Sequence, residues 1–123
     1  MNVKLLRKVK EHILAEPKRY TFLWAKQSGI TKCGTQACIA GWAIILGSGL
    51  RKPLDSDGEL RVPASLAKFR KEGFYSGPAR KLLRITKEQG NRLFIYWPAE
   101  FFNWDAKSAA ARIEHFIKTK GAE

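Results

Sequence analysis

The sequence feature that most constrains the fold is a stretch of eighteen residues without a charged side chain, Cys33–Leu50. Within it, residues 36–46 are apolar on nearly every side of a helix, and a helix that is apolar all round must be surrounded by protein. Thr35 is a suitable N-cap, and the Gly-Ser-Gly sequence at 47–49 ends the segment. The sequence therefore predicts a central buried helix over about residues 36–46.

The same stretch is too short to cross a membrane. Glycine, serine and polar residues interrupt it and leave only about ten consecutive compact apolar residues, whereas a spanning helix needs roughly 20. The first residues, MNVKLLRKVKEHIL, carry charged side chains among their apolar positions and do not match an export signal. We expect a cytoplasmic protein with no membrane partner.

Helical patterns precede and follow this stretch. Residues 3–15 place Val3, Leu6, Val9 and Ile13 three to four residues apart, which predicts an amphipathic helix that stops before Pro17. Further on, PASLAKFRKE at 63–72 and PARKLLRI, which begins at Pro78, indicate two short helices.

Capping residues predict the last two helices. Thr86 and Gln89 have the spacing of a capping box, and Asn103 or Asp105 precedes a final helix that Gly121 closes. A chain of 123 residues with 45% apolar residues is long enough for one core. The prediction is an all-α single domain over residues 1–123, with five to six short helices around the central one.

Positive charge is the second unusual property. The net charge is +12, and such an excess favours a polyanionic partner. Residues 1–32 carry a net charge of +6 and residues 61–92 a net charge of +7, whereas residues 93–123 are neutral. If the two basic segments face the same way, they form one surface that can meet phosphates.

This distribution predicts a small basic module that binds nucleic acid, DNA or RNA, in a regulatory or accessory role. Two alternatives stay open: docking of an acidic partner protein, and a thiol redox or zinc function. Phe74 and Tyr75 lie between the basic clusters and either complete the core or stack on bases. The candidate nucleic-acid-binding residues are Lys4, Arg7, Lys8, Lys68, Arg70, Lys71, Arg80, Lys81, Arg84, Lys87 and Arg92.

Two cysteines, Cys33 and Cys38, are the candidates for a redox or structural role. The prediction places Cys38 in the first turn of the central helix, where the helix dipole would lower the pKa of a thiol. The five-residue spacing differs from that of thioredoxin-like sites, and buried structural thiols are the simpler interpretation. His12 and His115 would complete a zinc composition, but they lack paired spacing. We expect no metal, no cofactor and no catalytic residue.

The chain also resembles a group of small uncharacterised bacterial and phage-associated proteins. The resemblance is carried by CGTQACIAGWA at 33–43, ARKLLRITKEQGNRLF at 79–94, WPAEF at 97–101 and AAARIEHFIKTKGAE at 109–123. It covers most of the chain, and its first block is the most specific. The resemblance implies that this block matters to the fold, and it implies no activity.

Overall fold

The computed structural model describes residues 1–20, 38–50, 60–73, 75–98, 101 and 105–123. In these ranges the chain is all-α, as predicted. Five α-helices and two 3₁₀ helices occur there: α1 Val3–Ala15, a 3₁₀ turn Pro17–Arg19, α2 Ile39–Ser48, a 3₁₀ helix Ala64–Glu72, α3 Ser76–Leu83, α4 Lys87–Phe94 and α5 Ala106–Lys118. No helix within the described ranges is long and apolar enough to cross a bilayer.

Helix α1 buries one stripe of its surface. Leu5, Leu6, Val9 and Ile13 are buried, while Leu14 at the edge of the predicted stripe is half exposed. This face packs mainly on α5 and α2, which encloses the apolar side chains between three helices. The predicted bounds of this helix are confirmed.

Helix α2 is the central core element, as its composition predicts. Residues 39–44 are all buried, and the Trp42 ring packs at a tilt against His12 of α1, with ring centroids 4.2 Å apart. The indole Nε1 of Trp42 donates to the Arg19 carbonyl at 3.2 Å. The helix therefore holds α1 and the following 3₁₀ turn in place.

The bounds of α2 differ from the predicted 36–46. Cys38 has an extended backbone (φ −79°, ψ −176°) and is the N-cap, so the helix begins at Ile39. It continues to Ser48, and Gly49 ends it in the left-handed conformation at φ 72°. The predicted cap, Thr35, lies outside the described residues.

The backbones of residues 64–72 and of α3 lie unusually close together. The segment 64–72 is helical, as expected, but it is a 3₁₀ helix packed on α3. A Cβ atom on Gly77 would lie 1.8 Å from the Phe69 carbonyl oxygen, so only glycine lets the two backbones come this close. Helix α3 consequently lies directly over the 3₁₀ helix.

The last two helices begin at their predicted caps. Thr86 Oγ1 accepts from the Gln89 amide at 3.1 Å, and Gln89 Oε1 accepts from the Thr86 amide at 2.9 Å, which confirms the capping box. Asp105 caps α5 by accepting from the Ser108 amide at 2.8 Å, while Asn103 lies outside the described residues. That hydrogen bond lowers the pKa of the Asp105 carboxyl group.

Candidate functional site

The two basic segments meet where α1 begins and α3 ends. The backbone amide of Asn2 donates to the Leu83 carbonyl at 2.7 Å, and its side-chain amide donates to the Leu82 carbonyl at 3.3 Å. The Asn2 side chain also caps α1 by accepting from the Leu5 amide at 3.1 Å. One residue therefore joins two helices that are far apart in the sequence.

A shallow groove runs along this junction. The described residues that line it are Asn2, Lys4, Leu5, Lys8, Gly47 and Leu82. Its volume is about 190 Å³. Lys4 and Lys8 are exposed, so their ammonium groups are available to a ligand in solution.

Helix α3 adds exposed charge beside the groove. Lys81 precedes Leu82, and Arg84 follows Leu83 as the C-cap of α3, with φ 55° and ψ 47°. The ammonium groups of Lys68 and Lys81 lie 5.3 and 4.8 Å from the centre of the Phe69 ring. We use the name cationic face for five exposed basic candidates on these elements, of which Lys4 and Lys8 line the groove itself. Its members are Lys4, Lys8, Lys68, Lys81 and Arg84.

Two of the candidate arginines, Arg80 and Arg92, bond to other residues of the protein. Arg80 is half-buried and makes a two-bond ion pair with Glu72, in which Nη2 and Oε1 are 2.5 Å apart. The hydrogen bond from Arg80 lowers the pKa of the Glu72 carboxyl group, and the same bond raises the pKa of Arg80. Arg92 donates from Nη1 to the Gly121 carbonyl at 2.8 Å. Both arginines thus connect elements of the fold.

The other candidates lie apart from the groove or are partly covered. Arg7 lies towards α5, near Glu114, and Glu114 pairs with Lys10 at 2.8 Å. Arg70 is half-buried, whereas Lys71 and Lys87 are exposed. Lys87 borders a cavity of about 10 Å³ beside the Glu72 and Arg80 pair, which is the space of roughly one water molecule.

The cysteine at the start of α2 is a weakly acidic thiol. Cys38 Sγ accepts from the Gly41 amide at 3.4 Å, and the thiol is free. Burial raises the pKa of the Cys38 thiol to about 11, and the backbone hydrogen bonds offset this only in part. Cys33 lies outside the described residues. At neutral pH, Cys38 is therefore a protonated N-cap rather than a thiolate nucleophile.

The two histidines have separate surroundings. His12 packs at a tilt against Trp42, and burial together with the nearby Arg19 charge lowers the pKa of its imidazole. His115 lies on α5 beside Phe101, with ring centroids 5.9 Å apart. Among the described residues, no three histidine, cysteine or acidic side chains lie close enough together to hold a metal ion.

Of the two aromatic candidates, Tyr75 is buried with 7% of its surface exposed, so it belongs to the core. Phe74 lies outside the described residues. Phe69, which the sequence analysis did not single out, is the aromatic residue beside the lysines of the cationic face.

A buried arginine is the other feature that the sequence analysis missed. Arg112 is fully buried on α5, and its Nη2 donates to the Arg92 carbonyl at 3.0 Å. The signal was present in the sequence, because residue 112 lies three residues after Ala109 and four before Phe116. This spacing places Arg112 on the inward face of the helix.

The fold and the cationic face define a small basic helical protein. No family model matches the chain, and no curated protein or solved structure shows significant similarity to it.

Proposed function

We propose that this protein is a cytoplasmic, nucleic-acid-binding accessory module that contacts the phosphate backbone through the cationic face. The observation that supports this most is the docking of Asn2 on Leu82 and Leu83, because it joins the start of α1 to the end of α3, and Lys4, Lys8 and Leu82 line the same groove. We infer that the exposed charges of the two basic segments act together in binding.

The side chains of this face favour contacts that do not depend on base sequence. Four of its five members are lysines, and a lysine ammonium binds phosphate as a point charge rather than reading a base edge in a fixed geometry. Neutralising phosphates releases counterions, so the affinity falls steeply as salt is added. We expect similar affinities for unrelated duplex sequences.

The test compares two double variants that remove the same charge. Lys4→Gln with Lys8→Gln changes the groove, whereas Lys107→Gln with Lys118→Gln changes exposed lysines of α5. Fluorescence anisotropy of a labelled duplex, measured over a series of salt concentrations, gives the affinity and its salt dependence. The groove variant should bind more weakly, with the slope of log K against log salt reduced by about two. The α5 variant should remain close to the wild type.

Two results would contradict the proposal. Equal weakening by both double variants would mean that only the total charge matters. An absence of binding by the wild type at about 50 mM salt, where phosphate contacts are strongest, would exclude nucleic acid as the partner. In that case, we would expect the protein to dock an acidic partner protein instead.

A further inference from the structure

A second cationic site lies between the end of α4 and the length of α5. The described residues that line this α4–α5 cleft are Arg92, Tyr96, Pro98, Arg112, His115, Ala122 and Glu123. Its volume is about 340 Å³, which lies within the range of pockets that bind small molecules. It uses none of the residues of the cationic face.

Two arginines, Arg92 and Arg112, line the cleft. Arg112 is fully buried, and its bond to the Arg92 carbonyl holds the two arginine residues together. Arg92 uses Nη1 to hold the Gly121 carbonyl, and a guanidinium carries five N–H donors. Such a planar fork is well suited to phosphate oxygens.

A carboxylate of the chain itself lies beside His115, another residue that lines the cleft. Glu123 Oε2 lies 3.4 Å from His115 Nε2, and the Glu123 amide donates to Thr119 Oγ1 at 3.2 Å. The Glu123 side chain is 68% exposed, so little holds it there besides this contact. The cleft thus receives an anionic group that a ligand can displace.

An exposed aromatic side chain also lines the cleft. Tyr96 is 69% exposed, an unusual position for a large aromatic side chain, and it lies on the wall of the cleft. An exposed ring beside cationic groups provides a stacking surface for a planar base. The size of the cleft, its charge and this ring together match one phosphorylated aromatic group.

We propose that the α4–α5 cleft binds a phosphate monoester carrying a planar base, and that the Glu123 carboxylate, which lies beside His115, competes with the phosphate for the cleft. A free nucleoside monophosphate and the 5′-phosphorylated end of a nucleic-acid strand offer this same chemistry. The inference does not depend on the cationic face, because the two sites share no residue.

Nuclear magnetic resonance titration tests the site directly. The probe is adenosine 5′-monophosphate at about 50 mM salt, a concentration at which phosphate contacts are strong. Its addition should shift the resonances of Arg92, Tyr96 and His115, and adenosine without phosphate should shift them much less. Equal shifts from adenosine would overturn the proposal. In a second arm, 5′-phosphorylated and unphosphorylated tetranucleotides are compared.

The two arms identify the source of the phosphate. Shifts from the free nucleotide indicate a small-molecule ligand, and shifts from the phosphorylated tetranucleotide alone indicate a strand end. Failure of both probes would overturn the proposal. The Lys4→Gln, Lys8→Gln variant should bind both nucleotide probes as the wild type does, even if it loses duplex binding. The nucleotide titration therefore tests the cleft independently of the cationic face.

Glu123→Gln provides a readout that a purely structural role would not give. Removing the competing carboxylate should tighten nucleotide binding by about two- to fivefold, the size expected for a partly exposed ion pair. Glu11→Gln, which changes an exposed acidic residue of α1, is the matched control and should have no such effect. Equal affinities in the two variants would contradict the competition.

Tyr96→Ala separates stacking from charge. It should weaken the binding of adenosine 5′-monophosphate by about fivefold or more, while the affinity for inorganic phosphate stays unchanged. A parallel loss for both probes would mean that Tyr96 does not act as a stacking surface.

Discussion

Burial, more than the position at a helix start, sets the acidity of the Cys38 thiol. Inside the first turn, the helix dipole would lower the pKa of the thiol, which allows a redox role beside the simpler interpretation as a buried structural thiol. As the N-cap, it accepts one long hydrogen bond from Gly41 and packs against the core. Burial dominates, and it raises the pKa of the thiol to about 11.

Slow alkylation of Cys38 follows from this pKa. In a Cys33→Ser background, iodoacetamide at pH 7 should modify Cys38 roughly a hundredfold more slowly than an ordinary cysteine, because the thiolate fraction falls tenfold per pKa unit. The rate, followed by mass spectrometry, should keep rising as the pH approaches 11, provided the fold persists. Modification at neutral pH as fast as that of a free cysteine would instead favour the redox interpretation.

At the level of the helices, local signals in the sequence predicted most of the fold. The apolar spacing of α1 and the Thr86 and Gln89 capping box depend on neighbours three or four residues away, so the sequence contains everything that determines them. The start of α2 was misplaced because Cys38, a poor N-cap by type, takes that position.

Long-range contacts limited the prediction of the site. Basic segments were evident in the sequence, but their meeting depends on Asn2 bonding to Leu82, eighty residues away. The engagement of Arg80 by Glu72 crosses from a 3₁₀ helix to α3, and no local pattern encodes that pairing. Composition therefore identified which residues carry charge, and the fold decided which of them share a surface.

The close approach of α3 to the 3₁₀ helix predicts how a substitution at Gly77 changes the stability of the protein. Gly77→Ala should destabilise the protein by about 2–3 kcal/mol, because the added methyl group would overlap the Phe69 carbonyl oxygen. Gly90→Ala is the matched control in α4. Its Cβ would meet Arg80 Cβ at an ordinary 3.5 Å, and alanine favours helix by up to about 1 kcal/mol. Urea unfolding measures both, and equal effects would refute the packing argument.

For the molecule as a whole, the positions of the basic residues bear more on binding than the net charge of +12 does. The cationic face joins the start of α1 to the end of α3, and the α4–α5 cleft places two arginines and a histidine near α5. A large net charge by itself supplies solubility and non-specific attraction. The groove adds a defined location, because Lys4 and Lys8 both line it, and it is there that we propose contact with phosphates.

The most direct test of this account is a binding footprint. An unlabelled DNA duplex is titrated into the isotope-labelled protein at about 50 mM salt, and amide shifts are mapped along the chain. The cationic face predicts that the largest shifts fall at residues 2–8, 68 and 81–84. Shifts that concentrate on the outer surface of α5, or none at all, would contradict it.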